Sequence, residues 1–262
     1  MCRLAAYLGR EIYLGSFFSD PEHSLVRQAW APKEMQEARL NADGFGIGWY
    51  NNRDEAVSYK HVLPAWSDTN LSALGSSLSH DLWMANVRSA TPGQAVHIGN
   101  TQPFTHRNLH FLHNGYIEAF QEGFKEKLVP LIDPDILARL QGDTDSAWLA
   151  ALFHQQLKST GSIREALVET CRELQSIADG KKILMNMIVS DQDSLHAVRH
   201  AINADCPSLY SLVNGQNFPD SVILASEPFD DDPGWTAIET HRSLSVGRDL
   251  NLQMSTIEVP GS

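Results

Sequence analysis

No apolar run in this 262-residue chain approaches the roughly 20 residues needed to cross a bilayer as a helix. The best, Ile183-Leu-Met-Asn-Met-Ile-Val189, is strand-sized. Cysteine is scarce. Cys2, Cys171 and Cys206 are an odd number without C-x-x-C spacing, which excludes a disulfide framework and a zinc ribbon. Isolated thiols suit a reducing cytoplasm, where each is either structural or reactive. The apolar stretch after Met1 is too short for a secretory signal, so the mature chain is expected to begin close to residue 1. Basic residues are outnumbered 20 to 32, giving a net charge of −12. Such a field repels phosphate backbones and anionic lipid, which argues against nucleic-acid and membrane-surface partners. Neither a G-x-G-x-x-G fingerprint nor a G-x-x-x-x-G-K-[ST] phosphate loop occurs, so no nucleotide cofactor is expected. No Pro/Gly/Ser-rich linker divides the chain, and residues 1–262 read as one domain.

What is present can fill a core: 42% of residues are hydrophobic and 20% charged. Short strand-like runs dominate both ends, at 3–7, 46–50, 82–88, 109–112, 183–190, 195–200, 209–213, 222–225 and near 253–259. The middle differs. Trp148, Leu149, Leu152 and Phe153 recur at helical spacing within 145–157. Ser162-Ile-Arg-Glu165 reads as a capping box opening a second helix, which Asp179-Gly180 stops. Strands, two adjacent helices and more strands indicate an α+β fold in which sheets pack together and helices lie outside.

Cys2 stands out among the candidates for chemistry. Removal of Met1 would leave its α-amine free, with a reference pKa near 8. Thiol nucleophile and amine base would then share one residue. His113-Asn114-Gly115 ends an apolar run. It reads either as an ordinary Asn-Gly hairpin turn or as an oxyanion hole made by the Asn114 amide and the Gly115 N–H. Arg88, at the end of a strand-like run and before Ser-Ala-Thr91, has the planar fork that grips carboxylates. In Gly142-Asp143-Thr-Asp145-Ser146 the Asp and Thr residues are ordinarily helix N-caps, or one of the two carboxylates holds an ammonium group. His106, His110 and His113 have spacings that would suit a metal on a helix. In a strand His110 and His113 point to opposite faces, so no metal is expected. Cys171 reads as a small core residue, Cys206 as a loop thiol, and Asp230-Asp-Asp232-Pro-Gly as a solvated turn.

Taken in order, Cys2, Asp43-Gly44-Phe-Gly46, Arg88-x-x-Thr91, Asn100-x-Gln102-Pro103, His113-Asn114-Gly115 and Thr144-Asp145-Ser resemble the class II glutamine amidotransferases. The resemblance implies the four-layer αββα sandwich of N-terminal-nucleophile hydrolases. It implies Cys2 as nucleophile, Asn114 and Gly115 as the oxyanion hole, Arg88 on the substrate α-carboxylate and Asp145 on its α-ammonium, with Asp143 as competitor for that last role. Thr91 and Gln102 belong to the implied substrate pocket. Met1-Cys-Arg-Leu, Pro21-Glu-His-Ser-Leu25, the run from Leu40 to Tyr50 and the run from Ala225 to Trp235 look like the stand-alone branch associated with ergothioneine biosynthesis. Members of that branch release glutamate from a γ-glutamyl cysteine–histidine-betaine sulfoxide conjugate, and glutathione-degrading relatives share much of the pattern. The implied reaction is hydrolysis of a γ-glutamyl amide through a Cys2 thioester, with no cofactor. Two rivals stand beside it: a glutaminase feeding ammonia to a synthetase partner, and a catalytically silent binding module of the same fold. Oligomeric state, including a homo-oligomer, is left open.

Overall fold

The plan of the molecule is set by β1, Arg3–Tyr13. Successive side chains of a strand point to opposite faces. Here Leu4, Ala6 and Leu8 go one way and Ala5 and Tyr7 the other, all fully buried. A strand apolar on both sides must lie between two other layers. The computed structural model describes residues 2–35, 40–90 and 94–258, and it shows those layers.

In chain order the first half supplies β2 (Phe45–Tyr50), β3 (Ala56–His61), β4 (Ser79–Val87), β5 (Phe104–His106) and β6 (Leu109–Ile117). The second supplies β7 (Ile183–Asp191), β8 (Ser194–Ile202), β9 (Tyr210–Val213), β10 (Ser221–Ala225), β11 (Thr236–Ala237), β12 (Arg242–Gly247) and β13 (Gln253–Thr256). They form two antiparallel sheets, ordered β11-β9-β10-β1-β4-β2-β3 and β13-β12-β8-β7-β6-β5. Helices α1 (Leu14–Phe18), α2 (Leu25–Trp30) and α3 (Leu71–Ser77) cover the outer face of the first sheet. Short helices α4 (Lys125–Leu128) and α5 (Pro134–Leu137) precede α6 (Asp145–Thr160) and α7 (Ile163–Ile177), which cover the second.

Between the sheets Leu4, Ala6, Leu8, Leu82 and Met84 meet Leu112, Ile188, Leu195, Ala197 and Leu244. The result is the four-layer αββα sandwich. At one end of this inner layer the alternation continues but the chemistry changes. Leu112 is followed on the same face by Asn114, Ile188 is preceded by Asn186, and Met84 is followed by Asn86 and then Arg88, all buried. Cys2 lies at that end, immediately before β1.

Several elements differ from the sequence expectations. The first strand runs on to Tyr13, and β3, β5, β11 and β12 were not anticipated. The Asn-Gly hairpin turn is overturned: Asn114 and Gly115 lie inside β6, in register with Asn186 and Met185 of β7. Pairing along nine residues of β6 outweighs a dipeptide's turn preference. The second helix does open at Ser162, whose side chain accepts the Glu165 N–H. The reciprocal half of the capping box is replaced, because Thr160 Oγ1 accepts the Ser162 N–H. The Asp230–Asp232 segment is a turn whose carboxylates accept bonds from Trp235 Nε1, Gln216 N and Gly234 N.

Candidate active site

Four features converge on the polar end of the inner layer. Cys2 is half-buried, and its Sγ lies 3.8 Å from the Ser89 carbonyl, directly after Arg88. The Cys2 carbonyl accepts two bonds, from Asn114 Nδ2 at 2.6 Å and from Arg3 Nε at 2.8 Å. Asn114 in turn accepts from Asn186 Nδ2 at 3.3 Å, which also reaches the Ser208 carbonyl at 2.7 Å. One Asn114 amide hydrogen is therefore committed to Cys2, and a second remains beside it.

The edge of β6 explains the glycine. Glu118 N donates to the Lys182 carbonyl, so even-numbered residues here exchange hydrogen bonds with β7 and odd-numbered ones face the other way. Past the end of β5, His113 N donates to Gln102 Oε1 at 2.6 Å and His113 O accepts from Gln102 Nε2 at 2.9 Å. Ile117 N donates to Asp145 Oδ2 at 2.9 Å. Gly115 lies between these two caps, its N–H and carbonyl facing a gap in the ladder. A Cβ on Gly115 would sit 1.8 Å from the Leu184 carbonyl, so no larger residue fits. Gly115→Ala is expected to lower the melting temperature by about 5 °C or more, through overpacking against backbone. An unchanged melting curve would contradict that account.

Arg88 is 3% exposed. Its Nη1 and Nη2 reach carbonyls among the described residues, those of Asp43 at 3.5 Å and Ala95 at 3.3 Å. Among the described residues no carboxylate pairs with it. The nearby Asp43 carboxylate is turned to Ala90 N at 2.8 Å. A guanidinium buried among carbonyls keeps hydrogen-bonding capacity that an anion could use. The Ala95 carbonyl also takes Asn100 Nδ2, which bonds Asp143 Oδ1 at 2.7 Å, so Asp143 is tied to the Arg88 side of the site. Asp145 is buried at the first position of α6, with Oδ1 on Ser146 N and Oδ2 on Ile117 N.

His113 ties α6 to β6 from the outer face. Burial pushes its imidazole below the ordinary value, against the opposing pulls of Asp145 and the Leu184 carbonyl. A neutral ring fits its partners: Nε2–H donates to Leu184 O at 3.1 Å and Nδ1 accepts from Ser146 Oγ at 2.8 Å. His110 projects to the inner face instead, between Thr105 Oγ1 and the Trp49 carbonyl. Among the described residues no three His, Cys, Asp or Glu side chains come together to hold a metal ion. Cys171 is buried in α7, and burial pushes its thiol up to about 12.

The structure thus brings Cys2, Arg88, Asn114, Gly115 and Asp145 to one end of the sandwich. Thr91 lies outside the described residues. Each end of the Gln102 amide bonds the His113 backbone, so it frames the Gly115 gap. Sequence reasoning missed Asn86 and Asn186, whose signal was an asparagine on the core-facing parity of an apolar strand. It also missed the anchor of Arg3. Glu227 accepts Arg3 Nη1 at 3.0 Å and His23 Nε2 at 2.7 Å. It also accepts the Lys33 N–H at 2.8 Å and the Glu34 N–H at 3.0 Å.

Two antiparallel sheets face to face between helical layers, with a cysteine at the head of the central strand, define a sandwich of the N-terminal-nucleophile type. The chain belongs to the class-II glutamine amidotransferases, whose family model matches residues 23–205. It is 27% identical to the probable glutamine amidotransferase DUG3 of Saccharomyces cerevisiae, over 96% of this chain and 83% of that protein. It is also 27% identical to the gamma-glutamyl-hercynylcysteine sulfoxide hydrolase of Mycolicibacterium smegmatis, over 98% of this chain and 100% of that one. Among solved structures, a glutamine aminotransferase class-II domain protein from Silicibacter pomeroyi superposes with a TM-score of 0.72. It has 24% identity, covering 99% of this chain and 100% of that chain. The protein is an enzyme, an amidohydrolase with a class II glutamine amidotransferase domain. Among the described residues no helix is long and apolar enough to cross a membrane.

Proposed function

We propose that this enzyme hydrolyses a γ-glutamyl amide through a thioester on Cys2 and releases glutamate. The observation that carries the proposal is Arg88, a buried cation without a carboxylate partner among the described residues, next to the segment that touches the Cys2 thiol. A glutamyl head group brings the missing α-carboxylate. Its α-ammonium is assigned to Asp145, next to the open Gly115 carbonyl.

With Met1 removed, the Cys2 α-amine takes the thiol proton as sulfur attacks the γ-carbonyl carbon. The oxyanion develops against the free Asn114 amide hydrogen and the Gly115 N–H, of which each such donor is worth about 3 kcal/mol. The C–N bond then breaks, and the leaving amine takes the proton from the α-ammonium of Cys2. Water, deprotonated by the same amine, attacks the thioester carbon; glutamate leaves and the thiol is restored. The names of the relatives support an S-oxidised γ-glutamyl cysteine–histidine-betaine conjugate as substrate and, with it, a place in ergothioneine biosynthesis. Three free cysteines are consistent with work in a reducing cytoplasm.

Glutamate release from glutamine, glutathione and the histidine-betaine conjugate tests this directly. The conjugate is expected to have the highest kcat/KM. Arg88→Gln is expected to raise KM for every γ-glutamyl substrate, by about tenfold or more. Asp145→Asn should do the same, and an effect from Asp143→Asn alone would move the ammonium to Asp143. A preference for free glutamine would instead favour ammonia supply to a partner synthetase.

A further inference from the structure

The second half of the substrate has a place of its own. In the first sheet β1 is flanked by β4, which ends at Val87 just before Arg88, on one side and by β10 and β9 on the other. All three neighbours bring residues to the Cys2 end, because β1 pairs antiparallel with β4 and β10, and β9 pairs antiparallel with β10. The glutamyl head at Arg88 therefore leaves the β9 side for the amine. There, between residues 33–35 and 206–210, lies a cavity of about 430 Å³. Ammonia, the amine released from glutamine, is comparable to a water molecule, whose share of liquid volume is about 30 Å³. A cavity of this size is in the range that holds drug-sized ligands.

Its walls connect to the reaction centre by single hydrogen bonds. Arg3 lines it and donates to the Cys2 carbonyl. Ser208 lines it, and its carbonyl accepts from the Asn186 amide that also donates to Asn114. Arg199 stands in the same cross-strand row: Asn114 pairs with Asn186 on β7, and Asn186 pairs with Arg199 on β8. Leu195 and Ala197 of β8 face the inner layer, so Arg199 shares that face. Two strand spacings place its backbone about 10 Å from Asn114. Two extended residues span about 7 Å, and the arginine side chain covers the rest.

The charges have a sign. Arg3 is neutralised by Glu227. Glu34, a carboxylate in the lining, accepts the hydroxyl of Tyr210 at 2.6 Å, so one negative side chain stands there against the cations Lys33 and Arg199. Lys33 and Arg199 have no carboxylate partner among the described residues. Arg199 is held by the Pro207 carbonyl through Nε and by the Ile238 carbonyl through Nη1. Its Nη2 has no acceptor among those residues.

We infer that this cavity seats the amine half of the γ-glutamyl amide and selects amines that carry a carboxylate, through Arg199 and Lys33. The inference rests on the hydrolase reading above and adds the residues that set the choice of amine, favouring amines with a carboxylate over neutral amides. Two readouts test it separately. Calorimetry on the Cys2→Ala enzyme measures binding of γ-glutamyl-cysteinylglycine and of its C-terminal amide. The acid is expected to bind about tenfold more tightly or better, as for a charge-assisted pair. That ratio should collapse toward one in Lys33→Met/Arg199→Gln, with Lys33→Met alone showing a partial loss if the double variant does not fold. Equal binding of acid and amide overturns the inference, as does a preference that both substitutions leave intact. Glutamate release by the wild-type enzyme is scored independently. Acid preference without release from any γ-glutamyl amide overturns the hydrolase reading and keeps the anion-selective cavity.

Discussion

Cys2→Ala is expected to abolish glutamate release, lowering kcat by at least about 10⁴-fold, because no thioester can form without the sulfur. The fold should survive. Cys2 is half-buried and precedes β1, and its sulfur makes one long contact, to the Ser89 carbonyl at 3.8 Å. The carbonyl that anchors it to Asn114 and Arg3 belongs to the backbone and is kept in the variant. Melting temperature and Asn114-side contacts should therefore change little while turnover disappears. Mass spectrometry of the same preparations checks the other half of the mechanism. Activity should track the fraction of chains whose Met1 has been removed, since a retained Met1 turns the catalytic amine into an amide. Wild-type turnover in Cys2→Ala, or full activity with Met1 in place, would exclude the nucleophile assignment.

Glu227→Gln is expected to cost about 3–5 kcal/mol of stability, the usual result of breaking a buried ion pair by removing one partner. In a chain of this length that corresponds to a fall in melting temperature on the order of 10 °C. The reason lies in what surrounds the carboxylate. Four donors point at its two oxygens: Arg3, His23 and the Lys33 and Glu34 N–H groups. An amide NH₂ in place of one oxygen turns a donor toward donors and leaves Arg3 as an uncompensated buried charge. Slack in Arg3 should also loosen the Cys2 carbonyl, so kcat should fall with KM for the glutamyl head little changed. A KM effect alone would argue against this route.

The same cluster sets a pH dependence with a definite sign. Burial pushes the Glu227 carboxyl up, but His23, the two N–H groups and Arg3 outweigh it, and its pKa lies below the ordinary value of 4.5. A carboxyl lowered in the folded state contributes stability that is present above its unfolded pKa. That stability is lost as pH falls from about 4.5 through the lower folded value. On Arg3 burial outweighs the raising pull of Glu227 and lowers the pKa. Denaturant midpoints measured between pH 7 and 3 should fall more steeply at the acid end for wild type than for Glu227→Gln. Parallel curves would show that Glu227 contributes nothing to acid unfolding.

Much of this was legible in the residues. The helical spacing of Trp148, Leu149, Leu152 and Phe153 predicts α6, and Ser162 predicts the start of α7, because both signals are local. The order of strands, two adjacent helices and more strands predicts packed sheets with helices outside. One error is a local signal that tertiary contacts overrode. Asn114-Gly115 has a turn's composition, yet β7 holds it in a ladder. Gln102 sits in a motif that resembles a substrate pocket, and only the fold shows its amide bonded to the His113 backbone past the end of β5. The Arg3–Glu227 pair joins positions 224 residues apart, and no spacing rule reaches that far.

By itself the sequence determined the residue types and the parity of each strand, since alternation and capping depend on neighbours a few positions away. It also determined the family, because Cys2, Arg88, Asn114 and Asp145 occur in a specific order. Only the tertiary structure decided which polar groups meet. Strand order placed Arg88 on one side of Cys2 and Arg199 on the other, and register aligned Asn114, Asn186 and Arg199 in one row. The end of β5 opened the Gly115 gap. Those outcomes follow from packing two sheets face to face, which couples positions by their place in the layers rather than along the chain.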